Sequence, residues 1–235
     1  MKRARRVLGS AAAAAFAAAV SPATAGAPAS ADPCPDVEVV FARGTFEPPG
    51  IGATGEAFVD ALRSKLGGKS VDVYAVDYPA SLDFATASLG VIDASNKVQS
   101  VAAACPDTTM VLGGYSQGAA VAGYITADSV PAGYVLPSGI TGPMPADIAD
   151  HVAAVTLFGK PSNGFLQTIA NTAPPVTVGS HYAAKTIDVC IPEDPICSPA
   201  GSDNGAHTLY AVNGMADQAA DLVARSVTSS ASTSR

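Results

Sequence analysis

Gly114-Tyr115-Ser116-Gln117-Gly118 fits the pattern G-x-S-x-G, with the apolar run "TMVLGGY" (109–115) before the serine and the small-residue run "SQGAAVAGYIT" (116–126) beginning at it. In that setting the pattern predicts a strand, a sharp turn and a helix, with Ser116 exposed on the turn. Side chains at the two flanking glycines would strike neighbouring backbone. A serine at a helix amino terminus also faces unpaired N–H groups, which favour negative charge as it develops. Its hydroxyl is a poor nucleophile alone. It needs a base, and the base needs an acid to hold its tautomer. Downstream, "CIPEDPIC" (190–197) sets Glu193 and Asp194 side by side between two cysteines, and His207 follows. Serine, acid and histidine together perform acyl transfer, which in water is hydrolysis. Asp194 is the expected acid, because its side chain is shorter and stiffer than that of Glu193. A ring closed by the two cysteines would supply the rigidity that its loop lacks.

The elements around these residues must bring them to one edge. "VEVVFA" (37–42), "VDVYAV" (71–76), "TMVLGGY" (109–115), "VAAVTLFG" (152–159) and "KTIDVC" (185–190) read as five buried strands. Apolar residues at helical spacing mark helices over 55–66, 89–104 and 206–224, beside the one that starts at Ser116. Strand and helix in alternation predict a single-domain α/β fold, a five-stranded parallel sheet with helices on both faces. Ser116 after the third strand, Asp194 just past the fifth and His207 near the start of the last helix all fall at the carboxyl edge of the sheet. His151 begins the fourth strand and His181 leads into the fifth, both at the opposite end, so neither is expected to act as the base. The Pro- and Gly-rich stretch 129–147 follows a helix and precedes a strand. That places it at the amino edge, away from where ligands bind in such sheets, as a surface loop and not a lid.

Lys2, Arg3, Arg5 and Arg6, the apolar stretch "VLGSAAAAAFAAAV" and a small-residue cleavage site ending at Ala31 predict a secretory signal peptide over 1–31. Its apolar part is too short for a membrane span. A domain is expected over 32–228 and a disordered polar tail over 229–235. Cleavage would leave nine of the thirteen basic residues and all twenty acidic ones. That net charge of −11 argues against nucleic-acid partners. Four cysteines in an exported chain predict disulfides, with three connectivities open. Cys34–Cys105 and Cys190–Cys197 are the pairings favoured. No metal site is expected, since the cysteines lack C-x2-C spacing and the three histidines are scattered.

"FARGT" (41–45), "GGYSQGA", the ringed "CIPEDPIC" and "GAH" (205–207), in that order, resemble the cutinases, above all the actinobacterial cutinase-like secreted esterases. The resemblance spans the chain from Cys34 to the last helix. It implies a single-domain α/β-hydrolase with no large lid and no cofactor. It also implies Ser116 as nucleophile, His207 as base and Asp194 as acid, with the backbone N–H of Gln117 as one oxyanion donor and Thr45 as a second. Thr45 departs from the serine that often stands there in the family.

Leu82, Phe84, Phe165, Leu166, Ile191, Pro192 and Ile196 lie on carboxyl-edge loops and are expected either to rim an apolar groove or to pack as loop core. The expected protein is a secreted, monomeric serine carboxylesterase acting on short- to medium-chain acyl esters of a small molecule, lipid or polymer. An acetylxylan-type deacetylase, or a non-catalytic lipid- or glycan-binding surface protein, are the alternatives.

Overall fold

The fold, taken from a computed structural model, is described over residues 34–233; the signal peptide expected over 1–31 lies outside the described residues. Five strands, β1 (Val37–Ala42), β2 (Val71–Ala75), β3 (Thr109–Tyr115), β4 (Val152–Phe158) and β5 (Thr186–Val189), form one sheet in the order β2-β1-β3-β4-β5. Every pairing is parallel. The central strands are buried on both faces, which is why β1 and β4 read as nearly continuous apolar runs, interrupted by Glu38 and Thr156, and not as alternating ones.

Alternate residues feed two cores. Val37, Val39 and Phe41 of β1 pack with α1 (Gly52–Leu66) and α6 (Met215–Thr233) on one face. Val40 and Ala42 pack with α2 (Ala87–Ala104) and α3 (Gln117–Ile125) on the other. Two short helices, α4 (Asn163–Ile169) and α5 (Ser180–Ala183), lie between β4 and β5.

From β1 the chain crosses to β2 on one side, and from β3 it proceeds to β4 and β5 on the other. The carboxyl ends of β1 and β3 therefore flank the point where the winding reverses, the usual ligand crevice of an open parallel sheet. Thr45 follows β1 there and Ser116 follows β3.

Two expectations about elements are corrected. No helix begins at Ala206: a short 3-10 turn covers Ala206–Thr208, and α6 starts only at Met215. Gly214 breaks the run with φ 85°, and the Asn213 side chain accepts from the Met215 N–H at 3.0 Å to open the helix. At its other end α6 continues to Thr233 and takes up much of the polar tail expected over 229–235. In the preceding turns serine and threonine hydroxyls donate back to helix carbonyls, Ser226 to Leu222 and Thr228 to Ala224, so polar residues are accommodated in this end of the helix.

Candidate active site

β3 ends at Tyr115 and α3 begins at Gln117, leaving Ser116 alone to make the turn. Its backbone sits at φ 56°, ψ −119°, a conformation that costs a non-glycine residue on the order of 1–3 kcal/mol. Close packing holds it there. A Cβ on Gly114 would lie 2.2 Å from the Gly118 carbonyl oxygen, and one on Gly118 would lie 2.0 Å from that of Ala42. The Ser116 N–H donates to the Phe158 carbonyl at 2.9 Å, tying the turn to β4.

Asp194, His207 and Ser116 form a continuous chain. Ser116 Oγ lies 2.8 Å from His207 Nε2, and His207 Nδ1 lies 2.7 Å from Asp194 Oδ2. Asp194 is fully buried, and its Oδ1 accepts from the Ile196 N–H at 2.9 Å. Its loop is the ring closed by a disulfide between Cys190 and Cys197, while Cys34 is joined to Cys105. Glu193, the competing acid, is exposed. His181 is likewise exposed, on α5, and the His151 ring contacts the Pro106 carbonyl at 3.1 Å; neither is brought to Ser116.

Gln117 opens α3, where first-turn N–H groups have no acceptor within the helix. Its side-chain amide donates to the Ser81 carbonyl at 3.0 Å, linking the serine turn to the loop after β2. Thr45 sits on a turn held from several sides. The Glu47 carboxylate accepts from the Gly44 N–H at 2.6 Å and the Ala53 N–H at 2.9 Å. Buried Arg43 donates to the carbonyls of Glu47, Val76 and Tyr78, and Tyr78 returns a hydroxyl bond to the Arg43 carbonyl. Phe46 and Ala80, which face each other through one backbone hydrogen bond, both have positive φ. Strain thus surrounds the site on two strands' ends.

Four supporting residues escape inspection of the chain. Arg43 and Glu47 fix the Thr45 turn. Tyr115 stacks on the His207 ring with centroids 5.0 Å apart and donates its hydroxyl to the His207 carbonyl at 2.6 Å. The Tyr210 hydroxyl donates to Asp194 Oδ2 at 2.7 Å and accepts from the Ile191 N–H at 3.1 Å. Burial, and for Tyr210 the neighbouring Asp194 charge, hold both phenols protonated well above the ordinary tyrosine range. One signal was available for Arg43: a charge directly after a largely apolar strand.

The rim expectation divides. Leu166 and Ile191 are buried core, Phe165 and Ile196 are half-buried, and Leu82 and Pro192 face solvent. Phe46, next to Thr45, and Leu209 and Val212, two and five residues after His207, add exposed apolar surface outside that expectation. Among the described residues, no group of three or more His, Cys, Asp or Glu side chains converges as a metal site would.

Residues 33–227 match the family model described as Cutinase. Carboxylesterase Culp1 of Mycobacterium tuberculosis is 48% identical over 206 residues, covering 87% of this chain and 88% of the relative. Phospholipase Culp4 of the same species is 48% identical over 224 residues, covering 94% and 92%. Among solved structures, a Trichoderma reesei cutinase bound to a phosphonate inhibitor superposes with a TM-score of 0.61 at 35% identity, over 83% of this chain and 78% of that one.

Proposed function

The chain belongs to the cutinase family and is a carboxylic ester hydrolase, and from that premise we propose a secreted serine carboxylesterase working through Ser116, His207 and Asp194. The observation that carries this is the hydrogen-bonded series Ser116–His207–Asp194, with links of 2.8 and 2.7 Å.

As Ser116 Oγ attacks the ester carbonyl carbon, its proton passes to His207 Nε2. The carbonyl π pair moves onto oxygen, and the oxyanion is received by the backbone N–H groups of Gln117 and Thr45. Buried Asp194 compensates the imidazolium through Nδ1–H. Collapse of the tetrahedral species expels the alkoxide, which takes the proton from Nε2 and leaves as the alcohol. Water then repeats the sequence on the acyl-enzyme, releasing the acid and restoring Ser116. Fixed donors stabilise charge without reorganising at the moment of reaction, which is what the clamped Thr45 turn supplies.

Short- to medium-chain acyl esters are the proposed substrates, because apolar side chains stand exposed beside the site: Phe46 next to Thr45, Leu82 next to Ser81, Leu209 close after His207. Export is proposed from the pattern of residues 1–31 together with the two disulfides, which persist in oxidising compartments. Among the described residues, no helix is long and apolar enough to cross a membrane.

Ser116→Ala tests the mechanism. Hydrolysis of p-nitrophenyl butyrate is expected to vanish while near-UV circular dichroism is unchanged, and a fluorophosphonate should label only the parent. Turnover persisting in the variant refutes it.

A further inference from the structure

The chain from Val76 to Ser81, which follows β2, forms neither strand nor helix and turns four of its carbonyls toward the catalytic edge. Those of Val76 and Tyr78 accept from the Arg43 guanidinium. That of Ala80 accepts from the Phe46 N–H at 2.7 Å, and that of Ser81 from the Gln117 side-chain amide at 3.0 Å. One stretch of backbone thus holds both the turn that carries Thr45 and the first residue of α3. From behind it is anchored to α2, the Asp77 N–H donating to Asp93 Oδ2 at 2.8 Å. The two parts it holds also meet directly. A Cβ on Gly118 would lie 2.4 Å from the Arg43 carbonyl oxygen, the same oxygen that receives the Tyr78 hydroxyl.

Each end of this arrangement carries a cost that core packing does not require. Arg43 is 5% exposed, and among the described residues it forms no ion pair. Three carbonyls, of Glu47, Val76 and Tyr78, and the Tyr78 ring 5.2 Å from the guanidinium carbon stand in for a counter-charge. A buried cation held only by neutral groups is a poor way to fill space. Gln117 is 1% exposed, and its Oε1 is buried with no hydrogen-bond partner among the described residues. Such an acceptor is destabilising, and a methionine of similar length would fill the same volume without it. What the two side chains share is the segment between them. They also share a relation to the site: the N–H groups of Gly44, Phe46 and Glu47 all have acceptors, which leaves that of Thr45 without one.

We infer that residues 76–81 are a brace that holds the two oxyanion donors at a fixed separation, with the Arg43 and Gln117 side chains as positioning residues at its ends. This rests on the reading of Ser116 as nucleophile and of the Thr45 and Gln117 N–H groups as donors. Donors held where charge will develop bind the transition state better than the ester itself. Loosening either end therefore lowers kcat and leaves KM in place. Because both ends pull on one segment, the two side chains act as a unit although neither is hydrogen-bonded to the other.

Gln117→Met cuts one tie and Arg43→Lys weakens the other. Each variant is assayed on p-nitrophenyl butyrate per fluorophosphonate-reactive site, then titrated with an alkyl trifluoromethyl ketone. Ser116 Oγ adds to that carbonyl carbon, its proton passes to His207 Nε2, and the ketone oxygen becomes an oxyanion between the two donors. An oxyanion donor removed outright costs about 100–1000-fold in kcat, so one displaced should cost about 10–100-fold. KM should stay within about twofold, and the inhibition constant of the ketone should rise by about the factor that kcat falls. Gln117→Met should melt no lower than the parent, since it also removes the unpartnered Oε1, which separates positioning from support of the fold. The double variant should lose no more than about threefold beyond the weaker single one. If Arg43→Lys does not fold, Tyr78→Phe, which frees the Arg43 carbonyl, takes its place. Undiminished kcat and ketone affinity in folded Gln117→Met, or strictly multiplicative losses in the double variant, overturn the inference. Ser116→Ala still inactive beside such a result leaves the mechanism standing, whereas turnover by Ser116→Ala removes the mechanism itself.

Discussion

Replacing Tyr210 with Phe removes one oxygen atom from the most enclosed part of the site. That hydroxyl donates to Asp194 Oδ2 at 2.7 Å and accepts the Ile191 N–H at 3.1 Å, and Tyr210 and Asp194 are both fully buried. The carboxylate would keep only the Ile196 N–H and His207 Nδ1 as hydrogen-bond donors. A hydrogen bond to a charged group contributes about 1.5–3 kcal/mol, and a buried N–H left without an acceptor costs about 1–3 kcal/mol. Relaxation recovers part of this, so a net loss of about 2–4 kcal/mol is expected. At about 2–4 °C per kcal/mol for a domain of this size, the melting temperature should fall by roughly 5–15 °C. A purely structural tyrosine would do no more. Because Tyr210 shares Oδ2 with His207, its loss also lets the carboxylate shift against the imidazole. kcat for p-nitrophenyl butyrate should drop about tenfold, with KM unchanged, at temperatures where the variant is fully folded. In an Asp194→Asn background the kinetic effect of Tyr210→Phe should disappear, since both act through one group. Undiminished kcat in the single variant, or strictly additive losses in the double one, would refute the argument.

The two disulfides should separate under substitution. Replacing Cys34 and Cys105 by Ser opens the longer loop, costing about 4.4 kcal/mol on the chain-entropy model against about 2.5 kcal/mol for the short ring. Yet only loss of Cys190–Cys197 should lower kcat of the folded protein, as read by urea melts and butyrate assays in parallel; equal kinetic damage from both would contradict this. At high pH, burial holds the Tyr78 and Tyr210 hydroxyls well above 10, so the unfolded chain releases their protons while the folded one keeps them. Stability present below pH 10 should therefore decline as the pH rises past it, by at most about 1.4 kcal/mol per pH unit for each tyrosine. Thermal melts between about pH 9 and pH 11 check it, and Tyr210→Phe should show a shallower decline.

Strand positions were legible because burial on both faces leaves a direct trace: β1 and β3 match the apolar runs 37–42 and 109–115 residue for residue. Helix ends were harder. Ala206 to Leu209 carries apolar residues at tolerable spacing, and only Asn213-Gly214 announces that the helix must wait until Met215. The far end of α6 misled for the opposite reason, since serine and threonine disfavour helices on average but here return their hydroxyls to the preceding turn. For the stretch 129–147, topology indicates where a loop leaves and re-enters the sheet but says nothing of how far it travels between. Its prolines and its apolar Tyr134, Leu136 and Ile140 were the available sign that it packs on something.

That Ser116, Asp194 and His207 could meet was legible for a different reason. Each is of a residue type that few others can replace; Ser116 stands between paired glycines and Asp194 between paired cysteines, while His207 is marked only by following them in the chain. The residues that hold them carry no such mark. Tyr115 and Tyr210 are two of seven tyrosines, and nothing local to either one specifies the His207 carbonyl or Asp194 as its partner. Their roles follow from the parallel register that sets Tyr115 of β3 opposite Phe158 of β4, and from the chain beyond His207 folding back beneath the ring. Positioning residues of this kind are products of tertiary packing. A buried carboxylate without enough donors would be costly to keep charged. Once Asp194 is known to be buried, a donor such as Tyr210 is therefore required, although its place in the chain is not.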